Sequence, residues 1–204
     1  MPLYLSSNLS DCISPLNNLL NAKSYHLAVI GNASDMYDDP FWVINDIKAL
    51  KESGFEIQNF DLRKTEDVNQ LLNETIYNGI FVAGGNSFYI LELLKQTKIF
   101  EFIKNNIDNL LYIGSSAGSV ICSKNIEIIK YLDRQQDQNE FNLQGLDLID
   151  FQFLPHFGHD YFKLKYDKMF QDSVFYNSSN ITLRDQDAIW VKNKSIEFVT
   201  SALN

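Results

Sequence analysis

The feature that most constrains this chain is a repeated alternation. Short β-rich apolar runs are separated by stretches with helical patterning. Tyr25–Gly31 (YHLAVIG), Asn78–Ala83 (NGIFVA) and Asp108–Gly114 (DNLLYIG) read as strands. The first of these is almost continuously apolar, which suits a sheet buried on both faces. Leu3–Ser6 and Phe55–Asp61 read as further strands. Between them lie helical patterns at Asp11–Ala22, Pro40–Ser53, Thr65–Tyr77, Ser87–Leu94 and Ile99–Asn106. Pro40 and Gly54 punctuate the second helix at its start and end. This order predicts an α/β, flavodoxin-like three-layer sandwich around a mostly parallel sheet. In such sheets, sites form at the carboxyl ends of the strands.

After Ser123 the pattern loosens. Residues 124–148 are polar and read as a loop over the site, with a short strand at Ile126–Ile129. Asp150–Leu154 reads as a strand and Tyr161–Gln171 as a helix. Strands follow at Ile181–Leu183, Ala188–Lys192 and Ile196–Thr200, the last two forming a C-terminal β-hairpin. With 204 residues, the whole chain from 1 to 204 fits one domain.

Charge removes several function classes. The formal net charge is −9, and the three arginines are Arg63, Arg134 and Arg184. Such a surface repels phosphate backbones and anionic membranes, so no nucleic-acid or membrane partner is expected. No apolar run reaches the ~20 residues that span a bilayer, and the N-terminus has no signal-peptide pattern. A cytoplasmic location is the expectation. Cys12 and Cys122 lie too far apart for a zinc spacing and are expected to be buried.

The sharpest chemical signal is Gly114-Ser115-Ser116-Ala117-Gly118. It fits G-x-S-x-G, follows a strand and precedes a helix, which is the setting of a nucleophile elbow. A serine hydroxyl needs a base. The candidates are His26, His156 and His159, and the strand end at Leu154-Pro155-His156 favours His156. The imidazole in turn needs a carboxylate. Asp185, Asp187, Asp133, Asp137 and Asp160 are all candidates, Asp160 also as a helix N-cap. An oxyanion would be held by backbone N–H groups of Ala117 and of Gly85 in Gly84-Gly85-Asn86.

Together AGGNSF at 83–88, YIGSSAGSV at 112–120, FLPHF at 153–157 and LRDQDAIWV at 183–191 resemble the dipeptidase E (aspartyl dipeptidase) family of serine peptidases. The family's fold is similar to that of class I glutamine amidotransferases. The resemblance implies Ser116 as nucleophile, His156 as base and Asp185 as acid, with Asp133 as second choice for the acid. It implies Gly85 and Ala117 as the oxyanion hole, Asn86 as the residue orienting that loop, and no cofactor or metal. The implied activity is hydrolysis of small peptides, with release of an N-terminal aspartate. That substrate needs a cation. Arg134 is the candidate in the loop after the elbow helix, while Arg184, Lys163 and Lys165 are weaker ones. The sequence departs from aspartate-specific members here, so the aspartate preference stays open. A hydrolase of another amide or ester, or a non-catalytic binding protein on the same fold, are the competing readings. An amidotransferase would need Cys at the elbow. Phe151, Phe153 or Tyr161, if exposed, could support a homodimer.

Overall fold

A computed structural model of the chain describes residues 2–135, 142–193 and 195–201. Nine strands occur among the described residues: β1 Pro2–Ser6, β2 His26–Ile30, β3 Glu56–Phe60, β4 Gly79–Val82, β5 Leu111–Ser115, β6 Gln152–Leu154, β7 Asn180–Thr182, β8 Asp187–Lys192 and β9 Ser195–Thr200. Seven build one sheet in the order β3-β2-β4-β5-β1-β8-β9. The first five run parallel; β8 adds to β1 antiparallel, and β9 pairs antiparallel with β8 as the expected C-terminal hairpin. Strands β6 and β7 form a separate parallel pair.

Alternation along each strand divides the interior into two cores. Leu3, Leu5, Ile80, Val82 and Tyr112 face one, and Tyr4, Phe81, Leu111 and Ile113 face the other. Helices α1 Leu9–Leu19 and α2 Phe41–Ser53 cover the second. Helices α3 Thr65–Asn73, α4 Ser87–Gln96, α5 Ile99–Asn106 and α6 Ala117–Val120 cover the first. Gly54 ends α2 with φ +96°, a conformation that suits glycine because it has no Cβ. Two short helices complete the chain, α7 Lys163–Met169 and α8 Ser173–Tyr176.

The expected α/β architecture is present, and three local expectations need correction. Ile126–Ile129 is not a strand, because Glu127–Tyr131 forms a 3₁₀ turn. Ile126, Ile128 and Ile129 are all buried, so the segment lacks the period of a half-buried strand. Asp160 is not a cap: His159 precedes the 3₁₀ turn Asp160–Phe162, and its Nδ1 accepts from the Tyr161 N–H. Phe151 and Phe153 are buried and offer no surface for a dimer, whereas Tyr161 is exposed. Both cysteines are buried and unbridged, as the spacing predicts.

The sheet topology fixes where chemistry can sit. Ser6 is in register with Ser115, and Val82 with Gly114. The carboxyl ends of β1, β4 and β5 therefore emerge side by side.

Candidate active site

Strand β5 runs into α6 through a turn with no spare room. Ser116 has φ +45° and ψ −106°, a strained conformation for a residue with a side chain. Its N–H donates to Ser6 O at 2.9 Å, and its carbonyl accepts from Ser119 and Val120. A Cβ on Gly118 would overlap Val82 O, and one on Gly114 would meet the Gly118–Ser119 backbone at 2.7–2.8 Å. Small residues here are thus a steric requirement. Replacing Gly118 with alanine is expected to destabilise the fold by about 3 kcal/mol, since overpacked sites typically cost 1–3 kcal/mol. Urea unfolding of the variant measures this, and an unchanged midpoint would contradict the tight-turn account.

His156 follows β6 with φ +64°. Its Nε2 lies 2.8 Å from Ser116 Oγ and its Nδ1 lies 2.6 Å from Asp185 Oδ1. An ionised carboxylate only accepts, so Nδ1 carries the proton and Nε2 is left to accept from the serine hydroxyl. The imidazole stacks on Phe162, with centroids 4.8 Å apart and planes inclined by 13°. Burial raises the Asp185 carboxyl, but the His156 hydrogen bond and the His156 and His159 charges outweigh it. The result lies below the ordinary carboxylate value. Asp185 follows β7, which pairs with β6 in register, so one small sheet aims both side chains.

The other candidates do other things. His26 packs edge-on against Tyr77. Asp187 holds Arg184 through Nε at 2.9 Å and Nη2 at 3.1 Å. Asp133 accepts from the Ser87 N–H at 2.8 Å, and burial raises its carboxyl above the usual value. Asp137 lies outside the described residues. Arg134 is exposed, and its carbonyl accepts from Asn86 Nδ2 at 2.8 Å. Lys163 opens α7 on the surface, and Lys165 reaches the cavity. The Cys122 thiol is buried inside the turn after α6, and burial pushes its pKa up.

Beside the elbow, Gly84-Gly85-Asn86 leads from β4 into α4. Gly85 has φ +150°, and a Cβ there would overlap Ala33 O, so only glycine fits. Asn86 is buried, caps α4 by accepting from Tyr89 N at 2.9 Å, and donates its own N–H to Ala33 O at 2.7 Å. Gly84 is so close to the serine that a Cβ on it would lie 3.3 Å from Ser116 Cβ. Ala117 opens α6, and first-turn N–H groups have no acceptor within their helix.

A cavity of about 720 Å³ opens onto Ser116, His156 and Asp185. Sequence reasoning missed part of its setting. Trp42 braces Gly84 by donating from Nε1 to its carbonyl at 3.2 Å. Ser7 links β1 to the site, its Oγ donating to Leu183 O and accepting from the His156 N–H at 3.4 Å. Asp46 is fully buried on α2, accepts from the Ser10 N–H at 2.8 Å, and lies beside the Ser115 hydroxyl. A signal for Asp46 was present, since Val43, Asp46 and Leu50 recur at helical spacing.

The family model for Peptidase family S51 matches residues 3–199. An uncharacterized peptidase of Listeria monocytogenes is 31% identical over 198 residues, covering 95% of this chain and 96% of its own length. Peptidase E of a Nostoc species is 31% identical over 111 residues, 54% of this chain and 43% of that protein. Among solved structures, a Listeria monocytogenes EGD-e protein described as a peptidase E candidate aligns with TM-score 0.88 and 28% identity over 98% of both chains. A peptidase from an acI-B1 actinobacterium shares the fold, with TM-score 0.69 and 17% identity over 98% of this chain and 88% of that one.

Proposed function

The chain belongs to peptidase family S51, a family of serine peptidases, and from that membership we propose that it is a dipeptidase-type hydrolase in which Ser116, His156 and Asp185 carry the reaction. The observation that carries the reading is the continuous hydrogen-bonded path from Ser116 Oγ through the imidazole to Asp185, at 2.8 and 2.6 Å.

On this reading His156 Nε2 takes the Ser116 proton as Oγ attacks the scissile carbonyl carbon. Negative charge moves to the carbonyl oxygen. The N–H groups of Gly85 and Ala117 are the donors assigned to it, each such donor contributing roughly 3–4 kcal/mol in comparable sites. Asp185 fixes the imidazole tautomer and stabilises the imidazolium. The imidazolium then gives its proton to the leaving amine. Water, activated by the same imidazole, attacks the acyl-serine and releases the acid.

The relatives' names favour a peptide substrate, and the size of the cavity favours a small one. A fluorophosphonate probe tests the nucleophile. Folded protein should take up one probe on Ser116, with no uptake by Ser116→Ala or by urea-unfolded protein. A folded wild type that stays unlabelled would overturn the assignment.

A further inference from the structure

Resting on that hydrolase reading, we propose that the site takes a small peptide with a free amino terminus and an aromatic or large aliphatic first side chain. Its ammonium group sits on Asp133, and its side chain fills the aromatic part of the cavity.

The charges lining the cavity carry the first half. Among the described residues, Lys165 is the only lysine or arginine that lines it. That ammonium spends one of its three N–H donors within the protein. Its Nζ donates to Leu132 O at 2.8 Å and lies 4.6 Å and 4.9 Å from the ring centroids of Tyr161 and Phe162. An acidic first side chain would share that one lysine with Asp11, Asp133 and Asp185, three carboxylates against one cation in the same lining. A charge desolvated without a partner is strongly disfavoured. A cation entering the same space meets the opposite situation.

Of the three carboxylates, Asp185 is committed to His156, and Asp11 is exposed and bonded to Asn8. Asp133 is the one held at the turn from β4 into α4. Its Oδ2 accepts from the Ser87 N–H, and Ser87 follows Gly84-Gly85-Asn86 directly. A carboxylate has about four acceptor positions, so the Ser87 N–H leaves room for an ammonium. Gly84 abuts Ser116, and only one carbon separates an α-amino group from the scissile carbonyl. An amine on Asp133 would therefore anchor that carbonyl beside the nucleophile.

The second half comes from the aromatic wall. Tyr37 and Phe41 each make edge contacts with Trp42, at centroid distances of 5.1 Å and 5.3 Å. Trp42 is itself pinned to Gly84 O. On the segment after β6, Phe162 lies flat on His156. These rings line the same cavity as Ser116, and they reward an apolar side chain by removing it from water.

Binding to Ser116→Ala, measured by titration calorimetry, tests this without any chemical step. The probes are Phe-Ala, N-acetyl-Phe-Ala and Asp-Ala. Phe-Ala should bind at least ten-fold more tightly than Asp-Ala, and N-acetylation should weaken it at least ten-fold. Adding Asp133→Asn should weaken Phe-Ala while leaving N-acetyl-Phe-Ala unchanged. Tighter binding of Asp-Ala, indifference to acetylation, or no binding of any probe would overturn the proposal. Equal weakening of both phenylalanine probes by Asp133→Asn would reduce Asp133 to a support for Ser87, and would overturn its assigned role. The probe series on Asp133-intact protein stands even if that variant does not fold. A failure here with wild-type Ser116 still labelled by the fluorophosphonate leaves the hydrolase reading intact. The converse pattern overturns that reading alone.

Discussion

Replacing Ser116 with alanine is expected to lower kcat for peptide hydrolysis by about 10³-fold or more, which corresponds to about 4 kcal/mol of lost transition-state stabilisation. The variant keeps the elbow, because alanine has the same backbone requirements and removes only the oxygen 2.8 Å from His156 Nε2. What survives is binding and the oxyanion donors, which accelerate reactions modestly without a nucleophile. Substitution of His156 by alanine should cost a similar factor, and the double variant little more, since residues that act as a unit lose their effect together. Steady-state kinetics on the three proteins measure this. Wild-type turnover by Ser116→Ala would reject the mechanism, and additive losses would show that Ser116 and His156 act separately.

The architecture was legible because its signals are local and strong. Near-continuous apolar runs such as residues 25–31, short and set between turn residues, suit strands buried on both faces, and Gly54 ends α2 by a conformation glycine favours. The elbow was legible because G-x-S-x-G between a strand and a helix is a local pattern; Gly114 answers to the Gly118–Ser119 backbone a few residues on, whereas Gly118 answers to Val82 on the neighbouring strand. The sequence left five aspartates open as partner for His156. Their separation depends on contacts distant in sequence: Asp187 turns to Arg184, Asp133 to Ser87, and Asp185 to the histidine. The 126–129 segment misled because three buried isoleucines can satisfy either a strand or a tight turn. Arg134 attracted attention as a cation by sequence position alone, yet its backbone carbonyl is what engages the site, through Asn86. Trp42 carried no chemical signature at all. Its importance lies in one hydrogen bond to Gly84, visible only once α2 and the β4 end are brought together.

Stability should fall with rising pH across the window from about pH 4 to pH 7, and Asp46 is the group with the largest share in that fall. Burial pushes its carboxyl up to about 7, against the smaller lowering effects of Ser115 and the Ser10 N–H. Its Oδ2 is buried and has no hydrogen-bond partner among the described residues, so the folded protein favours a proton there. The sign follows from proton counts. Below about pH 4 the carboxyl is protonated in both states and costs nothing. Between that point and pH 7 the unfolded chain has released the proton while the folded chain keeps it, so stability drops as pH rises. Above pH 7 both states are ionised, and the cost is constant at about 4 kcal/mol, from roughly three pKa units at 1.36 kcal/mol each. Burial raises Asp133 and Asp11 in the same sense as Asp46, whereas Asp185 lies below its ordinary value, so its contribution is lost only on acidification. Comparison with Asp46→Asn isolates the Asp46 share, because every other group is common to both proteins. The unfolding free energy of wild type minus variant, from urea titrations at pH 4 to 8, should become less favourable by about 4 kcal/mol across the window and then level off. A flat difference would mean that Asp46 is ionised throughout, and that the network behind Ser115 tolerates a buried charge.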